Sequence, residues 1–281
     1  MKRLAVTIAV LSIITACDKD KGTTPPDGEV AATAGEGGEE QPRPELPDVK
    51  QEPDPPQIAQ GAHQYMLGHY KETVDLLTPV YEDLKTRNQY RASGLAGGWL
   101  ALAHAQAVVE EAAAPSEHAL WMADHTGDKE VTAVAKLAHG AVLMGHEDFT
   151  AAATAFEAAA SAAPDTLPGA LANLLRAESL IGKAFGSGES ENVQDPAALE
   201  TAKAAYAAAQ KTAEGGTETE VIMGRVEEGL AAVARYQNDK AAICEHSTKS
   251  LAHFKKAGAS ETLMEGAMQL AVDFKCELPA G

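Results

Sequence analysis

Residues 136–165 read KLAHGAVLMGHEDFTAAATAFEAAASAAPD, and this stretch decides the fold. Its small and aromatic residues stand in a fixed order at helical spacing, namely Gly140, Phe149, Ala152, Phe156 and Ala159, with Pro164 at the exit. From Gln57 onward Ala, Leu and Val recur with the same helical period, and β-branched residues hardly alternate at all. The sequence therefore predicts an all-α domain over residues 57–281.

The same order of residues recurs along the domain. The recurrences are Gly61, Gly68, Tyr70, Leu77 and Val80; Trp99, Leu102 and Ala103; Asn173, Gly182, Ala202, Tyr206 and Ala209; and Gly229, Ala241 and Ala242. A period of about 34 residues resembles the tetratricopeptide repeat (TPR), a unit of helix, turn and helix. The resemblance implies a TPR-like α-solenoid of about five helix pairs, closed by a C-terminal capping helix from about Glu261 to Cys276. Pro115 is expected in the first turn of a helix.

In the TPR family the first helix of each pair lines a concave face. The resemblance places eight residues on this candidate partner groove: Ile58, Ala62, Tyr65, Met66, Val134, Leu137, Ala141 and Met144. Such a groove lacks the Lys and Arg clamp with which other family members hold a peptide carboxylate, so the expected partner is an apolar or amphipathic segment. The same residues could instead pack on one another in a tightly wound solenoid, and the sequence leaves both arrangements open.

The N-terminus has the pattern of an export segment. Lys2 and Arg3 precede an apolar run from Leu4 to Ile14, which is too short for a spanning helix and ends on Ile14-Thr15-Ala16-Cys17. This ending resembles the lipobox of bacterial lipoproteins, and the resemblance implies that residues 1–16 are removed and Cys17 is acylated. The chain would then be lipid-anchored in a Gram-negative cell envelope, facing the periplasm, in either the inner or the outer membrane. An ordinary secretory signal is the alternative.

Residues 17–56 form a compositionally distinct segment. They are rich in Pro, Gly, Glu and Asp and poor in large apolar side chains, as in Pro25-Pro26-Asp27-Gly28. Such a segment cannot bury enough apolar surface to fold, so it predicts a disordered linker between the anchor and the domain. This N-terminal stalk would hold the domain away from the membrane.

The charge and the cysteines restrict the partners and the compartment. With a formal net charge of −18 over 281 residues, the chain has no general affinity for nucleic acid. We expect it to touch an anionic membrane only through Cys17. The two other cysteines, Cys244 and Cys276, could form one disulfide in an exported protein or remain two buried thiols.

No catalytic motif is found in the sequence. It contains no GxSxG elbow, no phosphate loop ending in Gly-Lys-Ser/Thr and no HExxH zinc helix, so we expect no enzyme activity and no cofactor. The adjacent Glu227 and Glu228 point to different helix faces and are predicted to be solvated surface. His118, Met122 and His125 lie along one stripe of a helix, where they could capture copper or could pack against a neighbouring helix.

Taken together, these features favour a non-catalytic, lipid-anchored periplasmic scaffold. Its partner would be another envelope protein or a peptide segment, and the scaffold would assist the assembly or regulation of an envelope complex. Two alternatives stay open. One is the capture of a metal or small ligand by the His and Met residues, and the other is a purely structural lipoprotein that associates with itself.

Overall fold

The computed structural model describes residues 46–185, 193–214 and 218–277. These residues form eleven helices and no strand, which confirms the all-α prediction. In chain order the helices are α1 (Pro56–Met66), α2 (Tyr70–Thr86), α3 (Tyr90–Ala105), α4 (Val109–Thr126), α5 (Lys129–Gly145), α6 (Phe149–Ala162), α7 (Leu167–Phe185), α8 (Pro196–Ala213), α9 (Thr219–Tyr236), α10 (Lys240–Ala257) and α11 (Glu261–Asp273). None of these eleven combines the length and the hydropathy that a membrane span requires. The expected signal peptide and lipidated Cys17 lie outside the described residues.

Short turns of similar design join neighbouring helices. In the turns after α1, α2, α5 and α9 one residue has a left-handed backbone: Gly68 (φ 80°), Asn88 (φ 55°), Glu147 (φ 62°) and Asn238 (φ 54°). Four helices begin after an aspartate whose carboxylate accepts first-turn N–H bonds, namely Asp128, Asp148, Asp195 and Asp239. These local signals end one helix and start the next, so they set the helix lengths.

Each helix packs against the next one along the chain, and the odd-numbered helices α1 to α11 also contact one another in order. The odd-numbered α3 and α7 each bury thirteen residues, whereas α2 and α6 each bury four. The helices α3, α5, α7 and α9 therefore form the inner layer. The two ends of this layer meet, because the Ser260 N–H donates to the Leu67 carbonyl at 2.9 Å and His63 Nδ1 lies 2.7 Å from a Glu218 carboxylate oxygen.

Glycines of the inner helices face large side chains of their neighbours. A Cβ atom at Gly140 in α5 would lie 2.6 Å from the Phe156 ring in α6, and one at Gly182 in α7 would lie 2.6 Å from the Phe149 ring. Several glycine and aromatic positions of the sequence pattern are therefore close contacts between helices. A methyl group has no room at these contacts.

Gly140→Ala is expected to lower the free energy of unfolding by about 1–3 kcal/mol, because the added methyl group overlaps the Phe156 ring. Urea unfolding followed by circular dichroism measures this change. At an unhindered helical position alanine stabilises by about 1 kcal/mol relative to glycine. A stabilised variant would therefore contradict the close contact.

A disulfide holds the last helix in place. It joins Cys244 in α10 to Cys276, just beyond α11, with the two Cα atoms 5.2 Å apart. On its own α11 has a small buried surface, because only Ala267 and Ala271 are buried while Met268 and Val272 are exposed. The covalent link therefore supplements weak packing.

Replacing both Cys244 and Cys276 with alanine is expected to lower the free energy of unfolding by about 2–4 kcal/mol. The reason is that the disulfide closes a loop between cysteines 32 residues apart and so lowers the conformational entropy of the unfolded chain. Urea titrations of the oxidised protein, the reduced protein and the double variant test this, and the last two should agree. Equal midpoints for the oxidised and reduced proteins would show that the bond contributes nothing.

Residues 46–55 have no regular secondary structure but lie against α2 and α3. Arg87 Nη1 donates to a Glu52 carboxylate oxygen at 2.7 Å, and Arg91 pairs with Asp54. The apolar side chains of this segment that pack on the core are Leu46 and Val49. These last ten residues of the segment 17–56 are thus attached to the domain, unlike the free linker that the sequence predicts, because their acidic and apolar side chains find partners there.

Candidate functional site

An ion pair joins α7 and α9 in the interior of the domain. Arg225 Nη2 donates to Glu178 Oε1 at 2.7 Å and to Oε2 at 2.9 Å. Each side chain is only 13% exposed. Both groups have lost most of their hydration, and each compensates the charge of the other.

Glu228 lies one helical turn beyond Arg225, on the same side of α9. Burial raises the pKa of its carboxyl group to about 8; the nearby Arg225 opposes this rise and Glu178 adds to it. Among the described residues this carboxyl group has no hydrogen-bond partner. At pH 7 it therefore holds its proton in most molecules.

Aromatic side chains stand beside these charges. The Tyr65 ring in α1 lies 5.5 Å from the Tyr70 ring and 5.7 Å from the Trp99 ring, measured between centroids. The hydroxyl group of Tyr65 is near Arg225, but like that of Tyr206 it is buried without a well-formed hydrogen bond. Burial raises the pKa of all three tyrosines, so they remain neutral donors at physiological pH.

Together these residues line a narrow concave space. Tyr70, Glu178, Arg225 and Glu228 are enclosed by several helices, yet each keeps part of its surface exposed. The space lies where the two ends of the inner helix layer meet, between α1 and α2 on one side and α7, α8 and α9 on the other. It offers an ion pair, a carboxyl group without a partner and aromatic rings, which suit the binding of a polar or charged group.

Most residues of the predicted partner groove do not line the charged space but are buried in the core. Seven of them are buried in the core, namely Ile58, Ala62, Tyr65, Met66, Val134, Leu137 and Ala141. Met144 is partly buried, and its sulfur lies 3.4 Å from the Ser179 hydroxyl group. The inner helices pack so closely that these side chains contact neighbouring helices and offer little surface to a partner. Only Tyr65 adjoins the charged space.

The predicted His and Met stripe packs against neighbouring helices. Met122 is buried, His118 Nε2 lies 3.1 Å from the Ser93 hydroxyl group, and the His125 ring meets the Tyr90 ring edge-on at 4.9 Å. Burial lowers the pKa of His118 to about 4, with a smaller effect from Lys85. In the described ranges no group of three or more His, Cys, Asp or Glu is placed to hold a metal ion.

Sequence reasoning missed the charged residues of the site. The expectation that Glu227 and Glu228 are solvated is wrong: Glu227 is buried and pairs with His246 at 2.6 Å, and Glu228 is only partly exposed and has lost much of its hydration. A signal was present in the close-packing glycines Gly224 and Gly229, which flank Arg225 and Glu228 on α9.

Comparison with other proteins adds no family to this description. No protein-family model, no curated protein and no solved structure matches the chain. The function is therefore argued from the residues of this chain alone.

Proposed function

We propose that this protein is a lipid-anchored, TPR-like α-solenoid of a Gram-negative envelope that faces the periplasm and binds another envelope protein without catalysing a reaction. Five helix pairs, from α1–α2 to α9–α10, form the repeats, and α11 caps the last pair. The contacts of consecutive helices, the continuous layer of odd-numbered helices and the glycine–aromatic contacts support this arrangement.

The observation that carries the binding proposal is the polar space lined by Tyr70, Glu178, Arg225 and Glu228. Replacing a buried ion pair with apolar side chains of similar volume often leaves stability unchanged or higher, so stability alone does not account for this pair. Convergent polar groups with shifted pKa values in a concave space are typical of binding sites. The partner therefore inserts a polar side chain or segment here, while the apolar core residues stay covered.

The anchor and the linker would determine how far from the membrane this site can bind a partner. With Cys17 acylated, the attached residues 46–55 would connect the anchored segment to α2 and α3. The domain can then search a shell of periplasm next to the membrane.

Cys17→Ala tests the anchor. The variant is expected to lose incorporation of labelled palmitate and to move from the membrane fraction to the periplasmic extract. Unchanged membrane retention would contradict lipid anchoring at Cys17, whatever the domain binds.

Capture from crosslinked cells tests the binding site. The native protein is compared with the double variant Glu178→Leu/Arg225→Met, which removes the polar lining and leaves the net charge unchanged. The same envelope protein should be recovered by the native protein and lost by the variant. The two proteins must first show the same circular dichroism spectrum. The urea midpoint of the variant must equal that of the native protein within error or be higher.

A matched control removes an exposed ion pair of the same charges. Lys249 and Glu245 pair at 2.6 Å on the surface of α10, with side chains 50% and 60% exposed. The variant Glu245→Gln/Lys249→Gln should recover the partner like the native protein. Equal recovery by all three proteins would remove the interior space as the binding site.

A further inference from the structure

In the part of the chain that the structure describes, the interior site contains one carboxyl group that has no hydrogen-bond partner. Arg225 is already engaged by both oxygens of Glu178. Glu228, one turn away, has no hydrogen-bond partner among the described residues, and the buried hydroxyl group of Tyr65 has none of regular geometry. Tyr65 is 2% exposed and lies near Arg225, so an unpartnered polar atom stands at the same place. Both groups would gain a partner if a hydrogen-bond donor entered the space.

The surroundings favour a cation over other donors. Two carboxyl groups and one guanidinium group face the space, so the site is negative by one charge once Glu228 is ionised. The Tyr70 ring, which is partly exposed and packs on the Tyr65 ring, stands near these charges, and aromatic faces attract ammonium and guanidinium groups. An anion could pair with Arg225 only by displacing Glu178, whereas a cation supplies the counter-charge with which Glu228 can ionise.

We propose that this space binds a slender organic cation, a primary ammonium or guanidinium group, which pairs with the Glu228 carboxylate beside the Tyr65 and Tyr70 rings. The cation can be a Lys or Arg side chain of the partner protein. In that case the inference rests on the proposed function and specifies it further. The same chemistry could also come from a free polyamine. The shared feature is a single cationic head on a thin stem, since the lining residues leave only part of their surfaces exposed.

Binding of the cation is coupled to release of a proton. Five charged or titratable groups surround Glu228: Arg225 on its own helix, Glu178 on α7, Tyr206 on α8, Tyr65 on α1 and Tyr70 on α2. Two histidines of α10 pair with other carboxylates, His246 with Glu227 and His253 with Glu220. Burial raises the pKa of the Glu228 carboxyl group to about 8. Because the cation pairs with the ionised form, its affinity is expected to rise about tenfold per pH unit below a pH of about 8.

Titration calorimetry on the full mature chain tests the proposal. The probes are butylammonium and butylguanidinium for the shared chemistry, spermidine for a free polyamine, and a capped glycine peptide with one central lysine for a protein side chain. Saturable binding of a small probe, with close to one proton released at pH 7 in two buffers of different ionisation enthalpy, is the expected result. Tighter binding of spermidine than of the peptide identifies a free polyamine, and the reverse identifies a side chain.

Glu228→Gln is the decisive variant, because it keeps the shape of the side chain and removes its charge. It should weaken butylammonium binding by about ten- to hundredfold and abolish the pH dependence. Glu245→Gln removes the same charge from the exposed surface of α10 and should bind like the native protein. Equal weakening in both variants, or none in either, would overturn the proposal.

The native protein alone also decides the question if Glu228→Gln fails to fold. An affinity that does not change between pH 6 and pH 8, or no binding of either small probe, would overturn the cation site. These failures leave the capture of an envelope protein intact, since that experiment removes Glu178 and Arg225 and does not depend on Glu228. Capture that fails while butylammonium binds would instead overturn the partner proposal and retain the cation site.

Discussion

Arg225→Met is expected to lower the free energy of unfolding by about 3–5 kcal/mol, because it leaves the Glu178 carboxylate buried without its counter-charge. The same change removes the charge that opposes the rise in the pKa of Glu228, so two carboxyl groups then share an interior without a cation. Urea unfolding at pH 7, followed by circular dichroism, measures the loss.

The double variant Glu178→Leu/Arg225→Met separates the ion pair from the volume it fills. It should recover the stability lost in Arg225→Met, because neither charge is left alone. The single variant Lys249→Gln breaks the exposed pair on α10 and should cost at most about 1 kcal/mol. If Arg225→Met costs no more than Lys249→Gln, the ion pair between α7 and α9 is solvated and the interior space is open to water.

Glu228→Gln is expected to change how stability depends on pH. The folded protein holds the Glu228 proton up to a pH of about 8, whereas the carboxyl group of an unfolded chain loses it near its ordinary value of 4.5. Between these values the folded state binds more protons than the unfolded state, so stability falls as the pH rises. The stability of Glu228→Gln relative to the native protein should therefore increase by on the order of 4 kcal/mol from pH 5 to pH 9.

The measurement is a set of urea titrations of both proteins at pH 5, 7 and 9. Other groups also titrate over this range, but they do so in both proteins, so their contributions cancel in the difference. Glu245→Gln provides the reference, because Lys249 lowers the pKa of the exposed Glu245 and keeps it ionised throughout. Parallel curves for the native protein and Glu228→Gln would mean that Glu228 is ionised in the folded protein well below pH 8.

Element boundaries show how far sequence reasoning reaches. The terminal helix begins at Glu261, as the pattern predicts, because the Ser260 side chain accepts the Leu263 N–H and caps it. Pro115, expected in a first turn, lies well inside α4, which begins at Val109. Because proline has no N–H group, α4 lacks the hydrogen bond from residue 115 to the carbonyl of Glu111.

The sequence by itself determined the all-α class, the succession of helices and the positions of several close contacts between them. These features depend on residues close together in the chain, such as the helical spacing of apolar residues, aspartate caps and turn residues. They can therefore be recognised in the sequence. Only the tertiary structure decided that the predicted groove residues are covered and that Tyr65, Glu178, Arg225 and Glu228 share one space. That outcome depends on contacts between residues far apart in the chain, such as Ser260 N–H with the Leu67 carbonyl and His63 with Glu218. Patterns within a few residues do not specify such contacts.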